Sequence, residues 1–148
     1  MIHTTDESWG ALVGIDDSFA EGFLVGGPMG FSCDVAAFPK KYKERFKGLI
    51  SDYKKEREFY RTATARVLTD TSSVTVIEYA NEDLSTCIIQ IFTKTTYAQS
   101  LLLYPAVACE KSYCFGDTVR TGKDIFENGI LVEEIEQNAC KTVKLYTE

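Results

Sequence analysis

The rhythm of apolar and polar positions changes near residue 60 of the chain. Before that point, Tyr42, Phe46, Leu49, Ile50 and Tyr53 fall at i, i+4, i+7, i+8 and i+11, the spacing of one helix face. The opposite face is nearly all charge, so the pattern predicts an amphipathic helix over 39–57. Pro39 suits its first turn, where a missing N–H would find no helical partner anyway. Gly48 weakens such a helix by roughly 1 kcal/mol relative to alanine, which suggests an element packed closely there. Ahead of the helix, Gly22-Phe23-Leu24-Val25-Gly26 is a short apolar run between glycines, the pattern of a strand buried on both faces. The glycine-rich loop 27–31 joins the two.

After residue 60 the period shortens. Strand candidates are 61–69, 74–81, 86–95, 98–104, 110–115, 130–136 and 139–146, with turn signals between them. The run 86–92 is apolar on both faces, as a central strand covered on each side would be, and 74–79 is similar but more polar. Asn81-Glu82-Asp83 supplies a turn that would make these two a hairpin. Pro105 should end its strand, and Asp124–Asn128 reads as a helical turn closed by Gly129. The expected fold is mainly β: an antiparallel sandwich of Greek-key type (61–148) preceded by a strand-loop-helix element (1–60). A parallel-type strand at 22–26 needs neighbours reached by crossovers, and no second βα unit is present. Its partners are therefore expected outside this sequence, unless it pairs at an edge of the following sheet.

Charge and composition then narrow the chemistry. The net charge of −6 argues against a nucleic-acid binder, although residues 40–57 hold eight basic residues against three acidic ones. That basic stretch reads as a solvated helix face. No apolar run approaches the roughly 18 residues of a membrane span, and Met1–Gly10 lacks the layout of a signal peptide. The five cysteines are scattered, with no C-x-x-C, and read as small core residues of a reduced protein, which favours the cytoplasm. With His3 as the single histidine, triad and histidine-metal chemistry fall away, and neither a metal nor a cofactor is expected. Asp16-Asp17, Glu82-Asp83 and Glu133-Glu134 read as loop, turn and strand-surface carboxylates rather than an acid–base pair. If 22–26 is a barrel strand, Gly27, Met29 and Gly30 would face a substrate region, and Trp9 is a candidate sugar-stacking residue. Eight aromatics (Tyr79, Phe92, Tyr97, Tyr104, Tyr113, Phe115, Phe126, Tyr146) could pack the strand region or form a sugar platform, and the sequence does not sort them.

The order of these features resembles one family. GGPMGFSCDV (26–35) followed by a helix carrying Tyr53-Lys54-Lys55-Glu56-Arg57 resembles the end of the catalytic barrel in glycoside hydrolase family 36, the α-galactosidases and relatives of clan D. Gly30-Phe31-Ser32-Cys33-Asp34 stands where that family has a glycine-aromatic-x-x-Asp stretch, and Tyr53–Arg57 where it has Tyr-Lys-x-x-Arg. Phe59-Tyr60-Arg61, Glu78–Asp83 with the run 87–92, and Thr121–Ile130 are similar to successive parts of its C-terminal β-domain. The resemblance covers about residues 22–146. It implies a parent that is a retaining α-glycosidase, for which this chain would supply the closing barrel element and a buttressing sandwich. The family's two catalytic aspartates sit in motifs with no match here, so no catalytic residue is carried over. The expected partners are carbohydrate or the missing barrel, with homo-oligomerisation through helix 39–57 as a further possibility. A different reading is a stand-alone sandwich that binds carbohydrate or another protein.

Overall fold

The computed structural model describes residues 36, 39–93, 100–133 and 135–147, apart from the side chains at 41, 42 and 49. Contacts divide the chain into two compact units, Met1–Thr62 and Ala63–Glu148. The strand expected at 22–26 lies outside the described residues.

Helix α1 spans Lys40–Thr62, five residues beyond the expected end at 57, because Glu58–Arg61 contains no breaker and Arg61 suits the negative end of the helix dipole. Thr62 Oγ1 donates to the carbonyls of Glu58 and Phe59, which are otherwise among the orphaned acceptors of the last turn. Phe46 and Tyr60 are buried, whereas Lys43, Lys47, Lys54, Lys55 and Arg57 are exposed, as the charged face requires. Exposed pairs Asp52–Lys55 (2.7 Å) and Glu58–Arg61 (3.2 Å) lace that face. Among the described residues, nothing lies within 4 Å of where a Cβ on Gly48 would stand, so they supply no close neighbour of the kind expected there.

The second unit is antiparallel. Its strands are β1 (Thr64–Asp70), β2 (Val74–Ala80), β3 (Thr86–Thr93), β4 (Leu101–Leu103), β5 (Ser112–Phe115), β6 (Thr118–Thr121), β7 (Ile130–Val132) and β8 (Cys140–Thr147), with a short helix α2 (Gly122–Asn128) after β6. Six form one sheet in the order β1-β2-β3-β8-β5-β6, and β4 pairs with β7 in a second. The last strand thus returns to lie against the central one, with Ile89 opposite Val143 and Cys87 opposite Leu145. Leu103, Ile130 and Val132 of the small sheet share one buried cluster with Val76, Ile89, Ile91, Val143 and Leu145 of the large one. Two sheets closing over one core make the expected sandwich.

Burial alternates along β2, while Ile88 and Phe92 on the opposite face of β3 are buried as well as Ile89 and Ile91, as the doubly apolar run anticipated. The Asn81 turn joins β2 to β3, with Asn81 Oδ1 accepting from the Thr86 N–H at 2.8 Å. Two expectations need correction. Strand β6 was not foreseen; it follows from a tight turn at Gly116, whose φ of +57° suits a residue without Cβ. The strand expected over 130–136 stops at Val132, so Glu133 and Glu136 lie beyond it, exposed.

The stretch 121–130 is fixed by close approach. Thr121 caps α2 by accepting from the Asp124 N–H at 3.1 Å. A Cβ on Gly122 would come within 1.9 Å of the Ala108 carbonyl oxygen, so only glycine fits. Gly129 closes the helix at φ +67° and donates to Ile125 at 2.8 Å. Ile125 and Ile130 on either side of that turn are fully buried.

Candidate functional site

Among the described residues one carboxylate is buried: Glu78, which takes the core-facing place between Val76 and Ala80 in the alternation of β2. The β1–β2 register puts Arg66 directly opposite, and its guanidinium reaches Glu78 Oε2 through Nε and Nη2, both at 2.8 Å. The other oxygen accepts from the Ala106 N–H and from Cys87 Sγ at 3.4 Å. Arg66 also donates to the Tyr104 carbonyl at 3.3 Å. Glu78 therefore ties β1, β2, β3 and the segment after β4 together. Burial, and then the neighbouring Glu78 carboxylate, push the Cys87 thiol far above its ordinary range, which makes it inert. With both oxygens occupied by protein donors, Glu78 is arranged as a clamp rather than an acid or base. The sequence reading passed over it, although a lone Glu on an apolar strand face was a visible signal.

A second polar centre is Tyr113, fully buried, whose hydroxyl donates to the Leu84 carbonyl at 2.7 Å and accepts from the Ala108 N–H at 2.8 Å. It pins the β2–β3 turn, where Leu84 sits at φ +55°, to the loop beneath Gly122. Asp83 lies in that turn with its carboxyl held below the usual range, first by the Ser85 N–H. These contacts account for turn geometry.

Among the described residues, a groove has room for a ligand. It measures about 490 Å³, opens beside β8 and includes Phe115, Leu131, Glu133, Thr142, Lys144 and Tyr146. Its origin lies in strand length. β8 pairs with β3 over residues 140–146, but β5 reaches only residues 145–147, so the first half of β8 runs past the end of β5. The end of β7 closes the far side, with Lys141 Nζ donating to the Glu133 carbonyl. The structure also sorts the aromatics: Tyr113 and Phe92 are core residues, whereas Tyr104, Phe126 and Tyr146 are exposed.

The candidate substrate-region residues Trp9, Gly27, Met29 and Gly30 lie outside the described residues, as do Asp16-Asp17, Cys33 and Tyr97. Of the cysteines read as core residues, Cys87 and Cys140 are buried and Cys114 half-buried, but Cys109 is exposed, because the loop before β5 turns it outward. No group of three metal-ligating side chains occurs among the described residues, and among them no helix is long and apolar enough to cross a membrane.

Neither a family model nor a curated relative matches the sequence. Solved structures do match the fold. The family 36 α-galactosidase AgaA from Geobacillus stearothermophilus superposes with a TM-score of 0.70 at 16% identity, over 86% of this chain and 19% of that one. An α-galactosidase from Lactobacillus brevis gives 0.70 at 14% identity, over 84% of this chain and 19% of that one. The galactosidase domain of an α-galactosidase-sucrose kinase, AgaSK, gives 0.64 at 15% identity, over 80% and 18%. The chain has the fold of part of an α-galactosidase. It spans about a fifth of the length of these enzymes. The structural likeness falls on the family whose motif order the sequence resembles.

Proposed function

We propose that this chain is the non-catalytic C-terminal portion of an α-galactosidase-like glycoside hydrolase, a sandwich that supports the catalytic barrel. The observation that carries this reading is Glu78. A retaining glycosidase needs two reactive carboxyls about 5–5.5 Å apart across the scissile bond. Here the buried carboxylate among the described residues of the sandwich is committed to Arg66 and to the Ala106 N–H. A likeness to one fifth of each α-galactosidase fits a supporting role within a larger assembly. The natural partner is then the barrel, and the parent a retaining α-glycosidase of carbohydrate metabolism. Thiols rather than disulfides at Cys87 and Cys109 favour a reducing compartment such as the cytoplasm.

The test is an assay of the purified chain on an aryl α-galactoside. No turnover above buffer is expected, alone or with added divalent metal. Turnover that survives repurification would end this reading, because the reactive pair would have to lie within the chain.

A further inference from the structure

The groove beside β8 invites a ligand of a particular chemistry. At its rim, Tyr146 exposes 44% of its surface and Leu131 51%, more than apolar groups need for packing. Polar groups alternate with them: the Thr142 hydroxyl, Lys144 and Glu133. The space, about 490 Å³, lies within the range of small-molecule sites. An aromatic ring beside both a cation and a carboxylate suits a neutral, polyhydroxylated molecule with one apolar C–H face. An anionic ligand is disfavoured by the net charge of −6 and by Glu133 in the lining, while Lys141, which also lines the groove, is already engaged with the Glu133 carbonyl. A wholly apolar ligand would leave the polar rim desolvated without partners.

We propose that this groove is an accessory carbohydrate site that takes a short galactoside, with Tyr146 as the stacking platform and Thr142 and Lys144 as hydrogen-bonding groups. The choice of galactoside rests on the hydrolase reading above; the choice of carbohydrate rests also on the groove itself. Such a site would hold a glycan chain against the scaffold rather than cleave it. The early end of β5 is what creates it. Were β5 to pair with the whole of β8, a strand would fill the space that the ligand takes.

Amide NMR of the ¹⁵N-labelled full chain during a raffinose titration tests this. Saturable shifts are expected at Gly116, Thr142 and Lys144. Tyr146→Ala should weaken the response about tenfold or more, and Lys144→Ala less, with the dispersion of the remaining amides unchanged. Tyr104→Ala removes an exposed aromatic that does not line the groove and should leave the response intact. Absence of saturable shifts, shifts indifferent to Tyr146→Ala, or a response to an acidic peptide in place of raffinose would each overturn the site. An equal response to maltotriose would support the groove while counting against the galactosidase reading. No sugar response with the chain still inactive on aryl galactosides would remove the site and leave the scaffold reading standing.

Discussion

At the scale of single residues, Glu78 carries the most consequence. A buried carboxylate is tolerable only with its partners in place, because removing one leaves a charge with no compensation in a poorly solvating medium. Arg66 is partly exposed, its side chain at 53%, so water recovers some of the loss when the pair is broken. Arg66→Ala is therefore expected to destabilise by about 3 kcal/mol, the low end of the range for buried pairs. Urea unfolding of Arg66→Ala, Glu78→Ala and the double variant checks it. The double variant should lose clearly less than the two single losses combined, since the pair acts as one unit. Additive losses would mean that the two side chains contribute independently.

At the scale of elements, two glycines that look alike in the sequence behave oppositely. Gly48 is exposed in the middle of α1 and no described residue comes within 4 Å of an added Cβ, so Gly48→Ala should stabilise by about 0.5–1 kcal/mol. Gly122 opens α2 against the Ala108 carbonyl, where an added Cβ has no room, and Gly122→Ala should cost roughly 1–3 kcal/mol or more. Thermal denaturation of the two variants side by side reads both signs. Helix α2 also has a pH dependence. The Arg120 guanidinium, and after it the Asn128 amide, hold the Asp124 carboxyl below its ordinary value. A depressed folded-state pKa gives stability that is complete above the unfolded value of about 4 and is lost as pH falls through the folded one. Urea midpoints should therefore drop less in Asp124→Asn than in the parent chain between about pH 6 and pH 3. An identical drop in both would detach Asp124 from the acid limb.

At the scale of the whole molecule, the legible part was the part written in local pattern. The helix followed from apolar spacing, the β2–β3 hairpin from the Asn81 turn, and the short helix from the Gly129 stop. The doubly buried character of β3 was visible because apolar residues occupy both its faces. Strand ends were less legible: β7 halts at Val132 although Glu133–Glu136 continued to look like a strand, since periodicity says nothing about where a pairing partner stops. The clamp and the groove were not legible as sites. Glu78 became meaningful only once the register set Arg66 across from it, and the groove exists only because β5 is shorter than β8.

The sequence alone determined that this is a helix followed by an antiparallel β domain, and its motifs resemble in their order those of one hydrolase family. Those properties live in spacing, composition and order along the chain. Tertiary structure decided which strand sits beside which, and with that everything that could be a site. Neighbouring strands such as β3 and β8 are about fifty residues apart in sequence, and such adjacency is set by how apolar faces close over a common core. No local pattern encodes it.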